Sequence, residues 1–440
     1  MTTATDARGS GQLSNGHFVA LALFILIIFL AATIDPVMMT LEPQAGGISV
    51  ADFAYINERG MLGRRIALPV LAAVASLWLG WRGIRSLRFQ GPVGPLLMAA
   101  LAWSVASVFW ADEPTVAARK IGALICMWIG AFWIAALIPM KRMPTLTALT
   151  ILVVVALCVG REAYDGWLRP FHAGYRFGGF FHPNDTAEYL AFGTFASFVL
   201  AVTSRSRALP VLCLAISASF LYLTRSRTSF FSVLVGLLAS AVLAGFSSRR
   251  TAHRLALGAG VLIVVACAAY VVAGEHMGEG ITNWILMGRD PSDFGTLTNR
   301  TTAWSELLVR FVSARPFTGF GYGAFWTVKH VAAMSLVVPG PVFLMSHSGY
   351  LELLLSVGII GAALHVGYML LATLSAIRQH IRSPDVGSAF AFGILAMLLT
   401  EMVAQIPNFE VSLTTFLTMT VIARFAIVHR HTPSPAVPRT

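Results

Sequence analysis

Charge is what this sequence has least of. Only 12% of its 440 residues are Asp, Glu, Lys or Arg, against 57% apolar residues and a mean hydropathy of +0.74. An ordinary soluble domain carries about 25% charged residues, so the shortage excludes a soluble enzyme. It excludes a disordered chain as well, because disorder needs the reverse balance of high charge and low hydrophobicity. Cysteine is scarce too. Cys126, Cys158, Cys213 and Cys267 lie far apart inside apolar runs, which leaves neither a disulfide framework nor a C-x-x-C metal site and reads them as small core hydrophobes. Phosphate-loop motifs are missing: Gly319, Gly321 and Gly323 are followed by Ala324, and no G-x-x-x-x-G-K-[ST] occurs. Nucleotide-driven chemistry is therefore unsupported. There is no D-x-D and no His/Cys/Asp cluster at metal-ligand spacing, so any transfer chemistry is expected to use no metal and no cofactor, and no nucleic-acid partner is expected.

What is present in quantity is apolar sequence in runs long enough to cross a bilayer. A hydrocarbon core of about 30 Å takes about 20 helical residues. Candidate spans run over 18–34, 66–81, 94–110, 121–138, 146–160, 187–203, 208–223, 229–246, 255–273, 347–376, 387–405 and 411–428. The fold class expected is an all-α polytopic membrane protein of about twelve transmembrane helices. The stretch before the first run has Asp6 and Arg8 as its only charges, not the basic start of a cleaved signal peptide, and the run is read as an uncleaved first helix.

Placing the N-terminus in the cytoplasm puts Arg82, Arg85 and Arg88, Lys141 and Arg142, Arg205 and Arg207, Arg249, Arg250 and Arg254, Arg378 and Arg382, and Arg430 on inward connections. Every inward loop is then basic, as the positive-inside rule requires. The chain divides accordingly into a cytoplasmic tail 1–17, nine spans within 18–273, a large outer loop 274–346, three spans within 347–428 and a cytoplasmic tail 429–440. Within the outer loop, Trp304, Leu307, Leu308 and Phe311 recur at helical spacing from about Asn299, which predicts an amphipathic helix at the outer surface. Arg315-Pro316 and the glycines that follow would end it.

Against this pattern, Thr224-Arg225-Ser226-Arg227-Thr228-Ser229 keeps two arginines in a short outward turn. Guanidiniums and hydroxyls at the start of a helix suit a phosphate or diphosphate; contact with lipid headgroups, or with acids of the 161–186 segment, is the alternative. His347 stands where the outer loop re-enters the membrane, in Ser346-His347-Ser348-Gly349-Tyr350-Leu351-Glu352. At 100° per residue it shares a face with Gly358, Gly361 and His365, a stripe that would let another helix pack closely. Neutral near pH 7, such a histidine could take a proton from a hydroxyl, or it could simply cap the helix. Glu352 lies off that face. A third stretch, from Arg176 through Gly178-Gly179-Phe180-Phe181 to His182-Pro183-Asn184-Asp185, would either line a sugar groove or supply Asn184 or Asp185 as a helix cap. Gly288-Arg289-Asp290 and Thr298-Asn299-Arg300-Thr301 add two more outward arginines.

Taken in order, these motifs resemble the O-antigen ligase and polymerase superfamily, the Wzy-like membrane glycosyltransferases. His347-Ser348, with Gly358-Ile359-Ile360-Gly361 beyond it, resembles the family's histidine motif. Thr224-Arg225-Ser226-Arg227-Thr228 resembles its Ser-Arg-Thr turn. Thr298-Asn299-Arg300-Thr301 with Trp304, Arg315-Pro316 and Gly319-Phe320-Gly321-Tyr322-Gly323 resemble its pre-histidine loop, and His182-Pro183-Asn184 fits its sixth span. The resemblance covers about 175–365 in motif and the whole chain in topology.

The resemblance implies a GT-C-like helical fold in the bacterial inner membrane, with both termini cytoplasmic and the site facing the periplasm. It implies a donor glycan on undecaprenyl diphosphate, transferred to an acceptor hydroxyl with inversion. His347 would be the general base; Arg227 and Arg300, helped by Arg225, would neutralise the diphosphate; Arg176, His182, Asn184, Arg289 and Ser348 would contact substrate. Polymerases of the family join one lipid-linked repeat unit to another, whereas ligases move the glycan to the lipid A core. The Arg289, Arg300 and Arg315 motifs look closer to ExoQ-type exopolysaccharide polymerases, although Asn299 stands where that pattern has glycine. Polymerase is the reading favoured here, ligase the alternative, with a chain-length regulator and other polysaccharide-assembly proteins as partners. A lipid-linked oligosaccharide flippase is a second alternative, which intramembrane charge pairs and broken helices would favour. A cell-wall polymerase of the shape and division type would need a prominent outer acid, and none stands out.

Overall fold

In a computed structural model of the chain, residues 13–34, 60–82, 87–89, 91–172, 175–245, 300–338, 344–406 and 411–429 are described. The expected span 255–273, together with Arg289 and the motif around it, lies outside the described residues. The chain is a multi-pass helical membrane protein: among the described residues eight helices are long and apolar enough to cross a bilayer, and three more are shorter apolar ones.

In chain order these are α1 (Asn15–Thr33), α2 (Leu62–Arg82), α3 (Val93–Ala106, continued by a 3-10 turn to Trp110), α4 (Pro114–Leu137), α5 (Met143–Tyr164), α6 (Pro183–Thr203), α7 (Ala208–Leu223) and α8 (Arg227–Gly245). Within the 274–346 loop lie α9 (Arg300–Glu306) and α10 (Val328–Ser335), and after it come α11 (Gly349–Arg382), α12 (Val386–Glu401) and α13 (Leu413–Ala426). Local sequence sets the starts. Pro114 and Pro183 occupy first-turn positions where no amide hydrogen is needed, while Ser14, Asp385 and Ser412 accept the exposed amides of His17, Ser388 and Thr415.

At the centre stands α6, buried on all sides between α5, α7 and α8, which is why its sequence is apolar or small all round. Outer helices instead turn Ile27, Leu77, Phe109, Leu209 and Leu238 outward, as a hydrocarbon solvent allows. Buried hydroxyls fold back onto their own helices: Thr150 donates to Leu146 O at 2.9 Å and Thr418 to Thr414 O at 2.9 Å. His365, the polar intruder of the stripe, is likewise satisfied, its Nδ1 at 2.9 Å from Gly361 O.

The described helices run between two faces. One carries a short antiparallel pair, β1 (Leu87–Phe89) with β2 (Ile427–His429), which hydropathy alone did not show. The other carries the 300–338 segment and every described site residue. There the structure corrects two expectations. The amphipathic helix is α-helical only through α9 and then widens to a π-helix over Leu307–Val312. It does not lie alone at a surface: Ala303 and Leu307 pack with Phe320, Phe325, Trp326, Val331, Leu351 and Leu355 in a second, smaller core.

The second correction concerns the helix after His347. It begins at Gly349 and breaks at Gly358, where φ is 66° and ψ −174°. Its backbone groups are taken up by the outer layer: Ile359 N–H donates to Pro316 O at 2.7 Å, Phe320 N–H to Leu355 O at 2.8 Å, and Trp103 Nε1–H to Val357 O at 3.0 Å. Irregular backbone at this depth persists only where protein covers it. From Ile359 onward the helix is about 36 Å long, enough to span by itself. The half-helix Gly349–Val357 therefore belongs to the outer layer, and Gly358 makes a break rather than a smooth packing stripe.

Candidate active site

His347 lies before the helix, not on it. Its backbone is left-handed, with φ 52°, a conformation that costs a non-glycine residue about 1–3 kcal/mol unless the surroundings fix it. They do. Ser346 Oγ donates to Glu352 Oε2 at 2.9 Å and lies 2.9 Å from Ser348 O. Trp304 Nε1–H donates to Ser346 O at 2.7 Å. Gly349 N–H points at two carbonyls, Met402 O at 2.8 Å and Gln405 O at 2.7 Å. Glu352 is buried, and its carboxylate also accepts from Trp326 Nε1 at 2.9 Å. It holds the turn through Ser346 and makes no bond to the imidazole, in keeping with its place off the expected face.

The arginine turn is built just as tightly. Thr224 is buried; its hydroxyl donates to Leu221 O at 2.7 Å and accepts from Ser226 N–H at 3.2 Å. Arg225 takes a left-handed backbone with φ 55°, and Arg227 is the first residue of α8. Both side chains are half-buried, and among the described residues neither guanidinium has a hydrogen-bond or ion-pair partner. Two half-buried cations at a helix start are chemically able to hold an anion. Arg176 staples the neighbouring loop to that turn, with Nε donating to Thr224 O at 2.9 Å and Nη2 to Asn184 Oδ1 at 2.7 Å.

Here the expected cap is corrected. The N-cap of α6 is His182, whose Nδ1 accepts from Asn184 N–H at 3.3 Å, while Asn184 sits inside the first turn and gives its side chain to Arg176. The Gly178-Gly179 pair lines no groove. Both amides donate to Glu162 Oε1 at 2.9 Å, and a side chain on Gly179 would meet Cys158 at 2.3 Å.

The end of α12 brings the two turns together. Arg300 Nη1 donates to Ala404 O at 2.9 Å, Gln405 Nε2 to Ser229 Oγ at 3.0 Å, and Ser348 Oγ to Met402 O at 3.4 Å. Four residues, Met402 to Gln405, thus touch the histidine turn, the start of α9 and the arginine turn at once. Burial, then the charges of Arg300 and His182, push the His347 imidazole down to about 4 from an ordinary 6.5. At neutral pH His347 is therefore uncharged.

Residues 212–366 match a family model described as O-Antigen ligase, and this stretch carries Arg225, Arg227, Arg300, His347 and the helix break. Over those residues the chain is similar to the O-antigen ligase and polymerase superfamily, and the match supports a membrane enzyme of that type. No curated protein matches the chain.

Several residues that build these turns carry no motif. Gln405 and Glu352 act on the turns from outside the signature positions, and Glu162 orders the loop before His182. Arg315, read as part of a motif, is structural: it pairs with Asp112 at 2.8 Å and covers the Phe320 ring at 4.7 Å. A cavity of 630 Å³ opens against the histidine turn, with Met345 and Glu352 in its wall, and Arg64, Arg65, Arg119 and Lys120 also line it. These four basic residues stand at the starts of α2 and α4 on the same face. Their only sequence signal was positive charge at the outer ends of spans, where it runs against the positive-inside trend.

Proposed function

We propose that the enzyme polymerises undecaprenyl-diphosphate-linked oligosaccharide repeats at the periplasmic face of the inner membrane. The observation that carries this reading is the joining of a neutral histidine turn to the Arg225/Arg227 turn and to Arg300 through Met402–Gln405. In this reading the acceptor hydroxyl gives its proton to His347 as its oxygen attacks the anomeric carbon of the donor. The bond from that carbon to the diphosphate breaks on the opposite side, so configuration inverts, and undecaprenyl diphosphate leaves with the electron pair. Arg225, Arg227 and Arg300 neutralise the leaving charge, while Arg176, His182, Asn184 and Ser348 border the sugars.

The bound diphosphate has a second effect. A base at about 4 is weak, and catalysis is best served by a base near the working pH. Anionic donor beside Arg300 offsets the field that depresses His347 and raises its basicity only when substrate is in place. Ligation to lipid A core is the second reading, favoured by the description of the matching family model. The flippase reading gains little from the broken helix, since the break at Gly358 is filled by the chain's own 316–320 segment.

His347→Ala in the host, with expression and insertion verified, tests the proposal. Loss of long polymer with single lipid-linked repeats accumulating at the outer face is expected. Normal polymer would remove His347 from catalysis. Long chains stranded on the carrier lipid would mark a ligase, and repeats trapped at the cytoplasmic face a flippase.

A further inference from the structure

We propose that Glu401 carries a proton and is a positioning residue for the donor diphosphate: it fastens the start of α8 to the end of α12 and keeps a negative charge away from the Arg225/Arg227 turn. The role rests on the transfer reaction proposed above, whose steps leave this residue unused.

A count of hydrogens carries the inference. Glu401 is the last residue of α12 and is fully buried. Its Oε1 lies 2.8 Å from Ser232 Oγ, its Oε2 has no hydrogen-bond partner among the described residues, and no ion pair holds it there. Ser232 has one hydroxyl hydrogen, and its own helix offers a second acceptor, Ser229 O at 2.9 Å. Bonded back to its helix, as Thr150 and Thr418 are, the serine has no hydrogen left for the acid. The hydrogen between Ser232 Oγ and Oε1 then belongs to Glu401.

Buried carboxylates elsewhere in the chain are dressed differently. Glu162 accepts from Tyr175 and from the Gly178 and Gly179 amides, and Glu352 from the Trp326 indole and from the Ser346 amide and hydroxyl. Around Glu401 no amide and no indole takes part, only serine hydroxyls. An ion left so bare in a buried place is costly, and such a group takes up a proton instead.

Its position makes the proton matter. The Ser229 hydroxyl, beside the same carboxyl, accepts from Gln405 Nε2 at 3.0 Å and from Ser226 Oγ at 3.4 Å. Glu401 O accepts from Ala404 N–H at 3.0 Å and from Gln405 N–H at 2.8 Å. One residue thus ties the start of α8 by its side chain and the Met402–Gln405 segment by its carbonyl. Ser232 lies about 8 Å along α8 from Arg227, so an ionised Glu401 would oppose a diphosphate at the arginine turn through a poorly screening interior. The neutral acid holds the turn without that repulsion.

The test joins infrared spectroscopy to binding of undecaprenyl diphosphate, both on the full chain in lipid nanodiscs at neutral pH. The difference spectrum of parent against Glu401→Gln should contain a carboxylic-acid C=O band that shifts in heavy water; a carboxylate band in its place overturns the proposal. Glutamine keeps the size, one donor and one acceptor of a neutral acid, so Glu401→Gln should bind within about twofold of the parent. Glu401→Ala should bind about tenfold more weakly and Ser232→Ala, a milder change that spares the acid, about threefold. Equal losses in Glu401→Gln and Glu401→Ala, or parent affinity in both Glu401→Ala and Ser232→Ala, overturn the proposal. Arg225→Gln/Arg227→Gln separates it from the reaction on which it rests. If that variant loses the ligand while Glu401→Ala and Ser232→Ala keep it, the Glu401 role is wrong and the donor reading stands. If the parent does not bind undecaprenyl diphosphate, or the double arginine variant binds it as the parent does, the donor reading is wrong and the positioning role falls with it, whatever the infrared band shows.

Discussion

Gly358→Ala tests whether the helix break, rather than the histidine alone, makes the site. At φ 66° and ψ −174° the backbone occupies a region that only glycine visits readily, and an alanine held there costs about 1–3 kcal/mol. The methyl would also lie 2.3 Å from Phe317 C and O and 2.5 Å from Thr318 N, so the 316–320 segment must retreat. Retreat breaks Ile359 N–H to Pro316 O and Phe320 N–H to Leu355 O, about 1 kcal/mol each. The total, about 3–5 kcal/mol, is a large share of the 5–15 kcal/mol that typically holds a protein folded. Thermal unfolding in detergent should show a midpoint lower by about 5 °C, and polymer formation in the host should fall because the half-helix that follows His347 loses its seat. Gly160→Ala is the control. That glycine is helical with nothing within 4 Å of an added carbon, so its substitution should be neutral or slightly stabilising. A Gly358→Ala protein that melts and polymerises like the parent would refute the reasoning.

Two further outcomes follow from the histidine turn. Glu352→Ala strands the Trp326 indole and the Ser346 hydroxyl, with an expected loss of about 2–4 kcal/mol. It should lower kcat of glycan transfer more than it changes KM, while Glu352→Gln, which keeps an acceptor, recovers most of the rate; an unchanged kcat in Glu352→Ala would show that the turn needs no such clamp. The second outcome is a pH profile. Because the folded imidazole sits near 4, below its ordinary 6.5, His347 is already neutral at pH 7 and loses its lone pair only as pH falls towards 4. The acid limb of kcat/KM should therefore lie well below pH 6.5 and move upward in Arg300→Gln, where a depressing charge is removed. A limb at or above 6.5 in the parent enzyme would contradict the buried, cation-flanked setting.

Hydropathy made most of the fold legible, because lipid imposes one requirement on every span and the runs announce themselves. Ala208–Leu223 shows this well: its run 208–223 coincides with the helix. Tertiary contact overrode the pattern at Gly358. Helical periodicity runs on through it, and only the approach of Phe317 shows that the residue is a corner. Charge against expectation drew attention to Arg225 and Arg227, while the same signal at Arg64, Arg65, Arg119 and Lys120 was diluted by their places inside long spans. The site was illegible where a residue's role was settled by its neighbours. Asn184 had the chemistry of a cap, but His182 sits two positions earlier with an acceptor nitrogen, and Arg176 claims the asparagine. Glu352 reads as one acid among many until Trp326 and Ser346 are seen to converge on it.

The deepest reason for the illegible part is that the site's hub is made of carbonyls. Met402 O, Ala404 O and Gln405 O hold Gly349, Arg300 and Ser348, and Gln405 adds a side-chain hydrogen bond to the junction. A carbonyl is common to all residue types, so Met402 and Ala404 leave no mark in composition, and they lie beyond the 212–366 stretch that matches the family model. What matters there is where α12 stops. The last turn of a helix exposes carbonyls without internal partners, and α12 ends at Glu401, just before the four residues that the histidine and arginine elements need. The terminus is thus a binding surface for the histidine and arginine turns, and helix length at α12 helps set their geometry even though no residue within α12 touches substrate in the proposed reaction.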